Sequence, residues 1–252
     1  MSNVYLFGYG NLGRHLTSLF LSRGIKVAGI FSEQQHDNTS IAFFGRQLVN
    51  EKLQDGDILF VTCKDDSLVD VLQSIQNNRV YKIICSGAAQ ISDFNGVTLL
   101  GVWYPLYSFS RDLKIDWSKV PVFIEYTDEQ TGKILKQLNL ELGIKSKTLN
   151  SENRSKLHLA AVFANNFVNA CLIATSEILN GSEQINFSDL LPIIEQTIEK
   201  VKDMSPLDCQ TGPAKRNDLL TMKRHMDMLN SMLDEKDVYV NLSKYIQQKI
   251  KK

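Results

Sequence analysis

Two patterns of hydrophobic and polar positions divide the chain. Short unbroken apolar runs predict strands that are buried on both faces of a parallel sheet. Mainly apolar runs occupy residues 4–7, 26–31, 57–62, 82–85, 99–103 and 122–126, and a last short strand is predicted over 145–149. Between them, apolar residues recur every three or four positions, as in the stretch 129–142, which predicts amphipathic helices. The alternation predicts an α/β fold, with an N-terminal doubly wound (Rossmann) parallel sheet over residues 1–150.

The second pattern begins at residue 151, after which no further strand is predicted. Helices are predicted over 152–179, 187–201, 217–234 and 238–250. Residues 151–252 are therefore expected to form a smaller all-helical C-terminal domain. Its stretch 157–175 is apolar almost all round, which predicts a helix buried inside a domain or between domains.

Three glycines follow the first predicted strand in the order G-x-G-x-x-G and lead into a helix that begins near Asn11. Gly8 suits the turn after the strand, Gly10 lets backbone approach a diphosphate, and Gly13 allows close helix-strand packing. This context predicts a dinucleotide site for NAD or NADP at the helix N-terminus. The alternative is a glycine-rich turn of some other α/β protein. The loop residues predicted to bind the cofactor are Gly8, Tyr9, Gly10, Asn11, Leu12 and Gly13.

Coenzyme choice depends on the residues after the second strand, here Ser32 and Glu33. A carboxylate at this position binds the ribose 2′-OH, whereas a basic group accommodates a 2′-phosphate. Glu33 follows Gly13 by 20 positions and no Arg or Lys follows before Arg46, which favours NAD. Ser32 can also bond a phosphate, and both residues can be ordinary solvated turn residues, so NAD and NADP both stay open.

Further cofactor contacts are expected at the carboxyl ends of two later strands, because ligands of parallel sheets bind there. Thr62 ends the strand 57–62 and is followed by Cys63, Lys64 and Asp65, although Asp65 or Asp66 can instead be only a helix N-cap, the role preferred for Asp66. After the strand 82–85 come Ser86 and Gly87, whose small side chains allow a nicotinamide or substrate to come close.

Polar residues on the apolar helix form a row. At ~100° per residue, Arg154, His158, Asn165 and Asn169 fall within a stripe about 60° wide. Buried polar groups need hydrogen-bond partners. These partners are either facing helices or a substrate, and we favour a substrate-facing surface.

A second polar cluster, 211–218, opens a later helix. Thr211 and Arg216 have the chemistry to hold a substrate carboxylate, and Asn217 or Asp218 can cap the helix. The alternative is a solvated loop with a helix cap.

Composition narrows the function classes. Lys plus Arg and Asp plus Glu both number 28, so the formal charge is zero and nucleic acid or membrane partners are not expected. No apolar stretch approaches the ~20 residues of a membrane span. No basic region precedes the first apolar run, so this run is expected to be a strand rather than a signal peptide. The four cysteines are far apart without metal-ligand spacing, which predicts no metal site and reduced thiols in a cytoplasmic protein.

Three segments together resemble a known family. They are Ser86-Gly87 with Tyr104-Pro105-Leu106-x-Ser108-Phe109; Arg154-x-x-x-His158-x-Ala160-Ala161-x-x-x-Ala164-Asn165-Asn166; and Leu207-x-x-x-Thr211-Gly212-Pro213-Ala214-x-Arg216-x-Asp218. With the N-terminal domain, they resemble bacterial Rossmann-like proteins with a C-terminal helical domain of unknown function. Those proteins are similar to the β-hydroxyacid dehydrogenase, pyrroline-carboxylate reductase and ketopantoate reductase superfamily.

The resemblance implies an NAD(P)-dependent oxidoreductase that reduces a small carbonyl or imine at the interdomain cleft, with ketopantoate as one candidate substrate. It also implies a homodimer formed through the helical domain, which is expected to bind substrate as well. For such an enzyme we expect Arg154 or Arg216 to hold a substrate carboxylate, and Ser108 and Thr211 to contact the substrate too.

The superfamily places a Lys one turn before an Asn, and sometimes a second Asn follows. Asn165 and Asn169 match these asparagines and are expected to orient the substrate oxygen, but the Lys position falls on Ala161. His158, with an ordinary pKa near ~6.5, is the expected proton donor in its place. The missing Lys also motivates the alternative of a non-catalytic NAD(P)-binding protein that reports cofactor state to a partner.

Overall fold

The structure is a computed structural model that describes residues 3–33, 41–111 and 113–250. The chain divides into two compact units, Met1–Asn165 and Asn166–Lys252. The expected functional division at residue 150 stays a prediction.

The first unit is built on one eight-stranded sheet with the order β3-β2-β1-β4-β5-β6-β7-β8. Its strands are β1 (Val4–Phe7), β2 (Val27–Phe31), β3 (Phe43–Phe44), β4 (Ile58–Val61), β5 (Tyr81–Ile84), β6 (Leu100–Pro105), β7 (Val122–Tyr126) and β8 (Ser146–Thr148). The seven predicted strands are present, and the Rossmann-like sheet is confirmed. The short β3, which pairs with β2, was not predicted, because two residues give no readable period.

Strand β1 lies at the topological switch point of the sheet. It pairs in parallel with β2 on one side and with β4 on the other, so that Phe7 faces both Phe31 and Val61. A crevice opens outside the carboxyl ends of the strands at such a point. The sequence puts the glycine turn there, directly after Phe7.

The sheet departs from the predicted parallel arrangement at one pair, because β6 and β7 are antiparallel. Parallel neighbours need a crossover of a dozen or more residues, usually a helix. The link between β6 and β7 has one short 3₁₀ turn, Trp117–Lys119, in its described part, and β7 returns alongside β6. Strand β8 is parallel to β7 because α4 (Glu129–Leu142) crosses between them.

Helices cover both faces of the sheet. Successive residues of β1 serve the two faces in turn: Val4 and Leu6 pack with one core cluster, Tyr5 and Phe7 with the other. The first face is covered by α1 (Asn11–Ser22) and α4. The second is covered by α2 (Val49–Lys52) and α3 (Leu68–Ser74).

A continuous helix, Ser151–Leu179, follows the sheet and contains a π-helical segment. It consists of α5 (Ser151–Ala161), the π-helical residues Val162–Phe167, and α6 (Val168–Leu179). The predicted polar row assumed an α-helix throughout. A π turn holds one residue more than an α turn, so the constant ~100° per residue on which the predicted row depends does not hold across Val162–Phe167.

The remaining helices differ from the prediction mainly in where they break. They are α7 (Leu191–Asp203), α8 (Pro206–Cys209), α9 (Pro213–Arg216), α10 (Leu219–Met228) and α11 (Leu233–Ile250). The predicted helix 217–234 ends early at Met228, and the last helix begins at Leu233 rather than 238.

The expectation that the stretch 157–175 is buried is wrong for the single chain. Ile173 is 58% exposed and Phe163 is 61% exposed. By length and composition, Ser151–Leu179 would also suffice to cross a bilayer, with a mean hydropathy of 1.5 in its most apolar window, and none of that window is buried. The expectation that no apolar stretch is long enough to span a bilayer is therefore wrong for this helix, in which Asn165, Asn166 and Asn169 interrupt the apolar residues.

Candidate active site

The glycine turn has the geometry that the sequence predicts. Gly8 has a φ of +102°, a conformation that L side chains rarely adopt. Its N–H donates to the Phe31 carbonyl at 2.9 Å, which ties the turn to β2. Helix α1 begins at Asn11, with Gly10 as its N-cap.

The other two glycines differ in what surrounds them. A Cβ on Gly13 would lie 2.7 Å from the Gly8 carbonyl oxygen, whereas a Cβ on Gly10 would meet nothing within 4 Å. Gly13 therefore allows α1 to pack closely on the turn, and Gly10 leaves open space above the backbone. A diphosphate at the unpaired N–H groups of a helix N-terminus needs this combination, so the residues present fit NAD or NADP.

Thr62, directly after β4, is hydrogen-bonded to the glycine turn. The hydroxyl of Thr62 donates to the Gly8 carbonyl at 3.0 Å. Cys63 is half-buried, and burial raises the pKa of its thiol, which is therefore neutral near pH 7. Lys64 and Asp65 are exposed, and the 3₁₀ turn Asp65–Ser67 has no side-chain cap, so Asp65 does not take the alternative role of N-cap.

Glu33, which follows β2, contacts Arg46, a basic residue 13 positions later in the sequence. Glu33 accepts a hydrogen bond from Arg46 Nη1 at 3.0 Å, with both side chains exposed. The Arg46 guanidinium also stands 5.3 Å from the ring centroid of Phe7. An acid and a base thus lie together at the end of the first two strands, next to Ser32, whose N–H donates to the Phe44 carbonyl.

A segment after β6 covers the start of α1. The side-chain amide of Asn11 donates to the Phe109 carbonyl at 2.9 Å, and His15 Nε2 lies 2.8 Å from the Ser110 carbonyl. Ser108, directly before these two residues, is exposed. Sequence reasoning missed these contacts because they join residues about a hundred positions apart.

Arg154 is fully buried and holds the loop that follows β5. Its Nη1 donates to the carbonyls of Ser86 (3.0 Å) and Gly87 (3.1 Å), and its Nη2 donates to the carbonyl of Ala89 (2.7 Å). Nη2 also lies 2.9 Å from Glu125 Oε2 on β7. With its donors engaged inside the unit, Arg154 is better placed to position this loop than to bind the predicted substrate carboxylate.

Ser86, at the start of the same loop, is buried and its hydroxyl accepts from the N–H groups of Ala88 and Ala89 at 3.1 and 2.9 Å. The loop is therefore fixed from both sides, by Ser86 internally and by Arg154 from α5.

His158 lies one turn after Arg154 and packs on Gly87. Its Nδ1 is 2.9 Å from the Tyr104 hydroxyl on β6. A Cβ on Gly87 would come within 2.5 Å of Nδ1, so glycine is what allows this approach. The sequence analysis predicted that Gly87 allows a ligand to come close. In the structure, His158 packs against the Cα of Gly87.

The other predicted polar residues are exposed. Asn165 and Asn169 are exposed, and their side chains form no hydrogen bond among the residues that the structure describes. In the helical unit, Thr211 and Arg216 are exposed as well. Asp218 is the N-cap of α10 and accepts from the Thr221 N–H at 3.1 Å, so the capping role predicted for Asn217 or Asp218 falls to Asp218.

Among the described residues, no group of three or more His, Cys, Asp or Glu side chains could hold a metal ion.

Comparison with protein families gives a match over just over half of the chain. The model described as a domain of unknown function, DUF2520, matches residues 120–246. The chain belongs to the DUF2520 family. The match starts near β7 and runs through α5 to α11, so it includes Arg154, His158 and the 211–218 cluster. No curated protein matches the chain significantly.

Solved structures extend the likeness of this DUF2520 chain to its full length. A Bacteroides fragilis protein described as a "putative NADP oxidoreductase" is 26% identical, with a TM-score of 0.88 over 98% of both chains. An Aspergillus terreus reductive aminase in complex with NADPH and ethyl levulinate is 12% identical, with a TM-score of 0.69 over 100% of this chain and 94% of its own. Plasmodium falciparum pyrroline carboxylate reductase with NADP bound is 13% identical, with a TM-score of 0.58 over 98% of both chains. The family resemblance is thereby confirmed, and the predicted cofactor class agrees with the nucleotides named for these relatives.

Sequence reasoning gave no role in the site to three residues of the DUF2520 chain that shape it. Tyr104 was named only as part of a family motif, and Glu125 lies in a strand whose apolar run hides it. Arg46 follows the unpredicted β3. Glu125 was the only acidic residue in a strand otherwise apolar or aromatic, a signal that a buried basic partner was needed.

Proposed function

We propose that this DUF2520 chain is an NAD(P)-dependent oxidoreductase that reduces a small carbonyl, such as a 2-oxo acid, or an imine. The supporting observation is the arrangement at the carboxyl edge of the sheet. Glycines that fit a diphosphate follow β1, and a half-buried histidine packs on the loop after β5. Strand β4 pairs with both β1 and β5, so these features share one edge.

The turn from Gly8 to Gly13 would hold the diphosphate of either coenzyme, with Thr62 supporting it from below. Ser32 and Glu33 would contact the adenosine ribose, and the segment from Cys63 to Asp65 would line the site. When bound, the reduced nicotinamide supplies a hydride to the substrate carbon. The loop at Ser86 and Gly87, held by Arg154, would keep its shape as the nicotinamide approaches.

His158 would donate the proton to the substrate oxygen or nitrogen. Asn165 and Asn169 would orient that atom, and Ser108, Thr211 and Arg216 would bind the rest of the substrate. Because Arg154 is committed to the loop carbonyls and Glu125, the exposed guanidinium of Arg216 is the better candidate for holding a carboxylate.

The helical unit is proposed to form a homodimer. Its long helices expose large apolar side chains, here called the apolar surface. Members between 46% and 66% exposed are Ile173, Ile178, Ile193, Ile198, Leu219, Leu220, Leu242 and Tyr245. Soluble monomers rarely expose so much apolar area. A second copy is favoured over a bilayer because Asn165, Asn166 and Asn169 would be costly in hydrocarbon, which also agrees with the predicted cytoplasmic location.

The alternative is a non-catalytic NAD(P)-binding protein that senses cofactor state. The observation that favours it is Ala161, which stands where the superfamily resemblance expects a Lys.

The test is reduction of a panel of 2-oxo acids and cyclic imines with NADH and with NADPH, followed by loss of nicotinamide absorbance. We expect turnover, and we expect His158→Gln to lower kcat by about 10²- to 10⁴-fold, since general acid catalysis contributes this much. The matched control is His225→Gln. His225 is also half-buried and bonded to a tyrosine, Tyr239 at 3.0 Å, but lies far along the chain in the helical unit.

Equal rates for wild type and His158→Gln would overturn the assignment of His158. Coenzyme binding without turnover of any substrate in the panel would favour the sensor.

A further inference from the structure

The side chain of Tyr104 packs against His158 and is hydrogen-bonded to it. It is 7% exposed, and among the described residues its hydroxyl has one hydrogen-bond partner, Nδ1 of His158 at 2.9 Å. The two rings meet edge to face, with centroids 5.8 Å apart and planes at 74°. Nε2 of His158 has no hydrogen-bond partner in the described part of the chain. One nitrogen of the ring is therefore held by the protein, and the other is left for a ligand.

The surroundings permit little rotation of this pair. A Cβ on Gly87 would lie 2.5 Å from His158 Nδ1 and 2.8 Å from Tyr104 Cζ, so both rings press on the same backbone. That backbone is fixed in turn by Arg154, whose guanidinium bonds the Ser86 and Gly87 carbonyls. A ring held on one edge by packing and at one nitrogen by a hydrogen bond presents its other nitrogen in a defined direction.

We propose that Tyr104 is a positioning residue for proton transfer. Its hydroxyl stays hydrogen-bonded to Nδ1 of His158, so that Nε2 is the nitrogen that gives its proton to the substrate. The inference rests on the proposed function and adds to it the positioning group and the nitrogen used.

A hydroxyl suits this role because it can accept a hydrogen bond as well as donate one. In the imidazolium, Nδ1–H donates to the Tyr104 oxygen while Nε2–H points to the substrate. As hydride from the reduced nicotinamide nucleotide adds to the substrate carbon, the electron pair of the C=O or C=N π bond moves to oxygen or nitrogen and takes the Nε2 proton. The electrons of the broken N–H bond stay on Nε2, and the neutral ring keeps its other proton on Nδ1, bonded to Tyr104.

The charges around the pair are consistent with this role. Burial raises the pKa of the Tyr104 hydroxyl, partly offset by the positive charge of Arg154, so Tyr104 stays a neutral phenol near pH 7. Arg154, on the same helix as His158, is paired with Glu125 of β7.

The experiment is NMR of the imidazole nitrogens in the full-length protein during a pH titration, which needs no substrate. Wild type, Tyr104→Phe and the matched control Tyr239→Phe are compared, and His158→Gln assigns the signals. In wild type we expect neutral His158 to carry its proton on Nδ1, the less common tautomer. In Tyr104→Phe we expect the neutral ring to carry its proton on Nε2, and the imidazolium to be less stable because it loses a charge-assisted hydrogen bond.

Tyr239→Phe should leave the signals of His158 unchanged while altering those of His225. For the substrate that turns over fastest in the panel, Tyr104→Phe should lower kcat more than it changes KM, and the fall of the rate at high pH should begin at lower pH.

A wild-type His158 with its neutral proton on Nε2 overturns the inference, whether or not Tyr104→Phe folds. An unchanged pH profile in a folded Tyr104→Phe also overturns it. Absence of turnover with the expected tautomer present would instead count against the proposed function, so the two failures can be told apart.

Discussion

The two units of this chain differ in how far their apolar side chains are buried. In the first unit, helices cover both faces of the sheet and the strand residues are almost wholly buried. In the second, the long helices are apolar and exposed. Among the described residues, Ala214 and Leu229 are the apolar residues of the second unit that are buried; the rest of the buried apolar set lies in the first unit.

The difference shows which functions one chain can carry alone. The first unit buries its apolar core within one chain. Its buried polar groups also find partners there, as Arg154 does with Glu125. Its nucleotide site can therefore form within one copy. The second unit leaves its apolar surface exposed, and the side chain of Asn169 has no hydrogen-bond partner among the described residues. Under the proposed dimer, the residues proposed to act from this unit would depend on a second copy for a stable setting.

Removing the buried ion pair should produce the largest effect on the first unit. Arg154→Ala leaves Glu125 without its partner and frees three loop carbonyls, so we expect a loss of about 3–5 kcal/mol in unfolding free energy. Denaturant unfolding measures it. Arg216→Ala, an exposed arginine of the second unit, should stay within about 0.5 kcal/mol of wild type. Similar losses in both variants would mean that the first unit is not held together as described.

Charging the apolar surface should break the second unit's assembly. Ile193→Glu places a carboxylate at a residue that is 61% exposed in the single chain. If that residue is buried in a dimer, the cost is about 2 kcal/mol or more, roughly thirtyfold in the dissociation constant.

Sedimentation equilibrium checks the mass, expected near twice 28.5 kDa for wild type and lower for Ile193→Glu. Leu140→Glu, at a leucine 75% exposed on α4 of the first unit, should leave the mass unchanged. A wild type that sediments as a monomer would contradict the dimer.

Two glycines separate packing from ligand access within the first unit. Gly13→Ala forces a Cβ to 2.7 Å from the Gly8 carbonyl, and overpacking of this kind costs about 1–3 kcal/mol. Gly10→Ala meets no atom within 4 Å and should cost well under 1 kcal/mol. Thermal unfolding without ligand distinguishes them, and equal stabilities would show that the turn is looser than its geometry indicates.

The N-cap of α4 should add a pH dependence to the first unit. Burial raises the pKa of Asp128, but hydrogen bonds from Thr131 and Thr127 outweigh it, so the pKa lies below its ordinary value. The stabilisation is present above the unfolded-state pKa near ~4 and is lost as the pH falls through the lower folded-state value.

Asp128→Ala should cost about 1 kcal/mol near pH 7 and less in acid, as measured by denaturant unfolding at several pH values. A cost that stays constant as the pH falls would contradict this account.

The smallest expected effect concerns coenzyme choice. Glu33 binds Arg46 at 3.0 Å, so removing the acid frees a base that can meet a 2′-phosphate. Glu33→Gln should shift the ratio of NADH to NADPH affinity a few-fold towards NADPH, and Arg46→Gln should shift it the other way. Shifts in the same direction in both variants would show that these side chains do not read the ribose.

Much of the first unit could be predicted because local patterns specify it. Unbroken apolar runs marked the strands, and the spacing of Gly8, Gly10 and Gly13 marked the turn. The contacts that complete the site join residues far apart in sequence, such as Arg154 with Ala89 and Tyr104 with His158, and no local pattern records them.

The helical unit was predicted less well for a different reason. An apolar helix gives the same sequence signal whether it is covered by its own chain, covered by another chain or left exposed, so the pattern could not show that 157–175 is exposed in the single chain. The π-helical segment Val162–Phe167 was equally invisible, because helical periodicity assumes a constant turn.

The most direct test of the central claim is a calorimetric titration of wild type and Gly10→Ala with NADH and with NADPH. We expect at least one coenzyme to bind wild type, and at 100 times its dissociation constant to raise the unfolding free energy by about 2.7 kcal/mol. Gly10→Ala should fold as wild type does and bind neither coenzyme measurably. Failure of both coenzymes to bind wild type, or equal binding by Gly10→Ala, would contradict the nucleotide site.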